Sequence, residues 1–132
     1  MANTRFINPP AIAKPPGYTH VVEITGPGKI VYIAGQLGLD QSGKMAGDFK
    51  AQTEQAFANL QAALAAVGAK PENIVKINNY IVEIGKNIGM FREVRDKNLN
   101  MAAPPASTTV GVPELARDGA LFEIEAIVML PS

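Results

Sequence analysis

The chain has no cysteine and no tryptophan, and its only histidine is His20. Without cysteine there is no disulfide scaffold, no thiolate zinc site and no thiol nucleophile. One imidazole excludes a His-rich metal site and a two-histidine acid–base ribonuclease. A charge excess of either sign is also missing, because 12 Lys and Arg balance 12 Asp and Glu. Binding by phosphate neutralisation needs a basic excess, so this balance argues against a nucleic-acid partner. Apolar runs such as Ala126–Leu130 fall far short of the roughly 20 residues that span a bilayer, so no membrane segment is expected. The opening MANTRFINPP lacks the apolar stretch of a secretion signal. The cytoplasm is therefore the expected compartment.

What remains is ordinary for a folded chain. The 132 residues are 47% hydrophobic and 18% charged, which fits one domain over residues 1–132 with a core of its own. Residues 1–18 carry Pro9, Pro10, Pro15, Pro16 and Gly17 and read as extended or irregular. Strands are expected over 20–25 and 29–35, joined through Gly26-Pro27-Gly28 as a hairpin. Gly38, Gly43 and Gly47 mark a loop. Asp48 is the expected N-cap of a first helix, and Gly68 its stop. Phe49, Ala56, Phe57, Leu60, Ala63, Leu64 and Val67 form its apolar face. Gln52, Gln55 and Asn59 read as its solvent or subunit-facing stripe.

A strand follows over 73–84, then a second helix near 88–101 with Arg92–Asp96 and Glu93–Lys97 at helical spacing. Pro104-Pro105 end that helix, and strands over 107–112 and 121–130 close the chain. The order is ββαβαββ. Helix-bearing connections permit parallel pairing, so the sheet is expected to be mixed, with both helices on one face. The other face, rich in apolar residues, then needs a partner, and a second copy of the chain is the physical expectation.

The last strand holds the sharpest anomaly. Alternation puts Phe122, Ile124, Ala126 and Val128 on one face and Leu121, Glu123, Glu125, Ile127 and Met129 on the other. Two carboxylates thus share a face with large apolar side chains. The plain reading is an exposed strand start with solvated glutamates. The sharper one is that Glu123 lines a pocket at a subunit boundary, where burial raises its pKa and it activates a water. Ser107, Thr108 and Thr109 form a hydroxyl run, either simple β-propensity or a set of ligand contacts. His20 beside Tyr18 is a weaker candidate, satisfied locally in the plain reading. No GxSxG, Walker loop or GxGxxG occurs, and no helix follows Gly26-Pro27-Gly28 to make it a phosphate cradle.

Taken together, several segments resemble the Rid family, the reactive-intermediate deaminases also called YjgF-type proteins. They are Pro16-Gly17-Tyr18-Thr19-His20, Ala34-Gly35-Gln36-Leu37, Gln52-Thr53 with Asn59-Leu60, Gly68-Ala69 and Ile74-Val75-Lys76. Phe91 to Arg95, Pro105-Ala106-Ser107-Thr108-Thr109-Val110 and Glu123-Ile124-Glu125-Ala126 complete the set. The resemblance implies an α+β, chorismate-mutase-like fold, a homotrimer whose sheets form a central barrel, and clefts for a small metabolite between subunits. It implies hydrolysis of reactive enamines and imines to 2-oxo acids and ammonia, with no metal and no cofactor. Tyr18 matches a cleft tyrosine and Glu123 a glutamate that positions the attacking water, while Gly35 and Gln36 fall in a cleft segment.

One departure stands out. Where the family's active enzymes carry an arginine that pairs with the substrate carboxylate, this chain has Ser107. A hydroxyl reproduces neither the charge nor the two-pronged geometry of that arginine. Loss of such a contact costs about 2–5 kcal/mol of binding when the partner is buried. Arg95 and Arg117 are the candidates to approach the cleft from another element. Three readings follow. One is a hydrolase of a different reactive imine or related C–N or C=N compound, with Glu123 activating water and Ser107 and Thr109 contacting a neutral ligand. The second is a non-catalytic metabolite-binding trimer. The third is an endoribonuclease or translation inhibitor, which the neutral charge disfavours.

Overall fold

The computed structural model describes residues 3–131. Its elements are β1 (Thr4–Ile7), β2 (Val21–Ile24), β3 (Gly28–Leu37), α1 (Phe49–Ala66), β4 (Ile74–Val82), α2 (Ile84–Asn98), β5 (Ala106–Val112) and β6 (Phe122–Pro131), with a 3₁₀ turn over Pro71–Asn73. Four strands form a mixed sheet in the order β3-β6-β4-β5, with β4 and β5 parallel and the other pairs antiparallel. Two helices cover one face of it, giving the expected α+β, chorismate-mutase-like arrangement.

The start of the chain differs from expectation. Residues 4–7 are a strand, and β2 pairs with it rather than with β3. The expected hairpin therefore does not form: Gly26-Pro27-Gly28 passes the chain from a two-stranded ribbon into the main sheet. Gly26 takes φ 78°, a conformation that costs glycine little.

Local signals explain α1. The Asp48 carboxylate accepts from the Ala51 amide at 2.8 Å, satisfying one of the first-turn donors. Gly68, at φ 70°, ends the helix, with the Ala69 amide returning to the Leu64 carbonyl. Phe49, Ala56, Phe57, Leu60 and Leu64 are buried. Against them β6 sets Phe122, Ile124, Ala126 and Val128, the alternation anticipated for that strand. Phe122 stacks on Phe57 at 6.0 Å between centroids and meets Phe91 at 5.6 Å, so three rings join α1, α2 and the sheet.

Helix α2 starts at Ile84, earlier than the expected residue 88. Only Glu83 separates it from β4, and it makes the corner in a left-handed conformation, φ 54°. Asn87 Nδ2 donates to the Val82 carbonyl across that corner at 2.8 Å. Along α2, the exposed Asp96 pairs with its neighbour Arg95 and not with Arg92. The stripe on α1 is also corrected. Gln52 is only 2% exposed and points inward, its Nε2 donating to the carbonyls of Ala46 and Gly119 and its Oε1 accepting from the Leu121 amide. Asn59 donates to the carbonyls of Leu37 and Leu39. These side-chain amides tie the backbone at Leu37, Leu39, Ala46 and Gly119 to the helix. Among the described residues, no helix is long and apolar enough to cross a membrane.

Candidate active site

The ladder register decides which side chains share a face. Ser107 and Thr109 lie opposite Ile77 and Asn79, which are buried beneath the helices. Thr108 lies opposite Asn78, which lies opposite Glu125, and Tyr80 lies opposite Glu123. The anticipated site residues therefore divide into two groups on opposite faces of the sheet.

The first group is at the sheet edge, where the Pro16–Tyr18 segment, α2 and β5 enclose a cavity of about 250 Å³. Tyr18, Arg92, Arg95, Ser107 and Thr109 line it. Thr19 anchors this corner: its amide donates to the Pro105 carbonyl at 3.2 Å and its hydroxyl to Pro104, just ahead of β5. The guanidinium of Arg95 lies over the Phe91 ring, 5.9 Å from its centroid, and is bound by Asp96 at 2.9 Å. Arg117 is elsewhere, donating to the Gly43 carbonyl at 3.5 Å. Of the two candidate arginines, Arg95 is the one that reaches the cavity of Ser107.

The second group is on the open face. Glu123 is half-buried and packs against the backbone of Gly35 so closely that a Cβ there would overlap its carboxylate. The approach is possible because β3 bulges between Ile33 and Gln36, where its register against β6 shifts. The Gln36 side chain braces the bulge, donating to the Ala34 carbonyl at 3.1 Å. Burial, and secondarily the charge of Glu125, push the Glu123 carboxyl above its ordinary value. Glu125 accepts from the Tyr80 hydroxyl at 2.8 Å and from Asn78 Nδ2 at 3.1 Å. The Tyr80 hydroxyl is raised by that hydrogen bond and then by burial. A hollow of about 430 Å³ beside Glu125 is flanked by Tyr32, Ala34 and Asn78. Thr108 also faces this side and accepts from Lys76 Nζ at 2.9 Å.

His20 is satisfied locally, with Nε2 2.7 Å from the Ala13 carbonyl and its ring edge-on to Tyr18. Among the described residues, no group of three or more His, Asp or Glu side chains is placed to hold a metal. Asn79 and Tyr80 join the expected site residues. The signal was available: Asn78-Asn79-Tyr80 interrupts the apolar strand 74–82 with polar groups that need partners.

Comparison with known proteins places this architecture. The family model described as Endoribonuclease L-PSP matches residues 9–130. A RutC family protein of Aquifex aeolicus is 37% identical over 127 residues, 95% of this chain and 98% of the relative. A 2-iminobutanoate/2-iminopropanoate deaminase of Dermatophagoides farinae is 34% identical over 98% of this chain and 99% of its own length. Among solved structures, the Rid family protein YyfB of Yersinia pestis superposes with a TM-score of 0.84 at 33% identity, over 97% of this chain and 99% of that one. The chain thus belongs to the Endoribonuclease L-PSP family, the YjgF or Rid family.

Proposed function

We propose that the protein is a homotrimeric hydrolase in which Glu123 directs water onto the C=N carbon of a reactive imine metabolite. The observation that carries this reading is the half-buried Glu123 carboxyl held against the Gly35 bulge, with its pKa raised. A carboxylate whose pKa is raised is a stronger base than an ordinary one, which suits it to take a proton from water and return it. Water adds to the imine carbon, and one of its protons passes through Glu123 to the nitrogen. The carbinolamine hydroxyl then gives up its proton to the nitrogen as the C–N bond breaks, leaving a carbonyl and ammonia. No metal or cofactor is required. The deaminase name of a 34% identical relative supports the same class of substrate.

The division of the site supports assembly from more than one subunit, and the number three rests on the family resemblance. In one chain Glu123 and the Arg95–Ser107 cavity lie on opposite sheet faces, so a substrate meeting both takes them from neighbouring subunits. The open face carries Tyr32 at 76% and Ile30 at 59% exposed, apolar surface suited to burial between subunits.

Ser107 at the position of the family arginine favours a second reading, a trimer that binds a metabolite without turnover. An RNA-directed role has little support, because net charge is zero and the lone imidazole is engaged with Ala13. The discriminating experiment supplies imines generated in situ by a pyridoxal-phosphate dehydratase and compares the wild type with Glu123→Gln. Loss of accelerated hydrolysis in the variant supports the hydrolase, and equal rates for the two proteins reject it.

A further inference from the structure

We propose that Arg95, carried on α2, supplies the cation for a substrate carboxylate that the β5 position lacks, and that Asn79 turns the Ser107 and Thr109 hydroxyls into donors toward the same group. The inference rests on the hydrolase reading for the substrate's identity, but its binding chemistry stands apart from turnover. Four observations carry it.

Arg95 is held in place. Its side chain is 12% exposed, it lies over Phe91, and Gly17 makes room for it. Gly17 has φ 111°, and a Cβ there would lie 2.6 Å from Arg95 Nη2. A guanidinium fixed this way loses little freedom on meeting an anion.

The hydroxyls are polarised by a buried amide. Asn79 is fully buried, and its Nδ2 lies 3.1 Å from Ser107 Oγ, 3.0 Å from Thr109 Oγ1 and 3.3 Å from the Thr108 carbonyl. A carbonyl oxygen only accepts, which identifies the atom facing it as the NH₂ group. The two Nδ2 protons are shared among these three acceptors, so toward Asn79 the hydroxyls act as acceptors, and each keeps its own proton for another acceptor. Ser107 and Thr109 line the cavity that Arg95 lines.

The cavity has the charge of an anion site. Arg92 and Arg95 both line it, and among the described residues no acidic side chain does. The competitor for Arg95 is outside: Asp96, 54% exposed, uses one carboxylate oxygen to take both Nε and Nη2 at 2.9 Å. An exposed partner is held weakly and is readily displaced by a carboxylate inside the cavity. Arg95 thus supplies from the helix the cation that Ser107, a neutral hydroxyl on the strand, cannot.

The test titrates the intact protein with propanoate and with the uncharged propanamide, following backbone amide chemical shifts. Propanoate is expected to bind more tightly than propanamide. Arg95→Gln is expected to weaken propanoate by about tenfold or more and to erase that preference. Asp96→Asn is expected to tighten propanoate by freeing the guanidinium, an effect that a merely structural Arg95 would not show. Ser107→Arg added to Arg95→Gln is expected to restore binding. Equal affinity for the two probes, or propanoate binding indifferent to Arg95→Gln, overturns the proposal. If Arg95→Gln melts too early to titrate, the Asp96→Asn and Ser107→Ala/Thr109→Val proteins decide, and unchanged propanoate affinity in both rejects it. Glu123→Gln separates the two claims: it is expected to keep propanoate binding while losing turnover. Arg95-dependent binding in a protein that never hydrolyses imines rejects the hydrolase alone.

Discussion

The carboxylate of Glu123 occupies the space that a side chain on Gly35 would need. Two elements distant in sequence thereby share one constraint: β3 must bulge and stay bare where β6 presents its acid. Gly35→Ala is expected to drive the carboxylate off the bulge. Imine hydrolysis falls by at least about tenfold if the water is misplaced, while the fold survives with a lowered melting temperature. Parallel measurements of kcat and thermal unfolding separate the two effects.

The raised pKa of Glu123 has a consequence for stability. Burial first, and the charge of Glu125 second, favour its protonated form in the folded state. Its contribution is present in full below the ordinary value of 4.5 and is lost as pH rises through the folded value. Glu123→Gln is therefore expected to gain stability relative to the wild type as pH increases above 4.5. Melting curves of both proteins across that range check it. Glu125→Gln removes the second cause and is expected to narrow the difference between them.

Phe122 joins both helices to the sheet through Phe57, Phe91 and Phe49, and none of its surface is exposed. Phe122→Ala is expected to destabilise the protein by about 3–5 kcal/mol, read from denaturant unfolding. Because the neighbouring Glu123 faces the other way, the loss appears in stability before it appears in the site.

Much of this core was legible because its signals are local. Alternation in β6 separates Phe122, Ile124, Ala126 and Val128 from the two glutamates, and the burial follows that division. Asp48 and Gly68 mark the ends of α1 through their own backbone chemistry. What was not legible depends on distant partners. Val21–Ile24 has the composition of a hairpin strand, yet it pairs with Thr4–Ile7. The Gln52 stripe looks polar and hence outward, but its amide is consumed by carbonyls at Ala46 and Gly119. Of the candidate site, Glu123 and Gly35 meet on one face, while Tyr18, Arg95, Ser107 and Thr109 meet in a cavity on the other side. Only the ladder register, set by β4, divides them.

The proposed trimer makes a separate prediction. Tyr32 is the most exposed of the large apolar side chains on the sheet, and it lies beside the hollow that includes Glu125. Tyr32→Glu is expected to place a charge in the subunit interface and shift sedimentation from trimer to monomer. A wild type that sediments as a monomer at micromolar concentration contradicts the trimer directly.

In the proposed function, Glu123 moves a proton during imine hydrolysis. The most direct measurement is ammonia release from freshly generated imine, with wild type and Glu123→Gln at matched concentration and confirmed folding. The wild type is expected to exceed the uncatalysed rate, with Glu123→Gln falling by about a hundredfold or more toward it. Equal acceleration by the two proteins would contradict the assignment of Glu123.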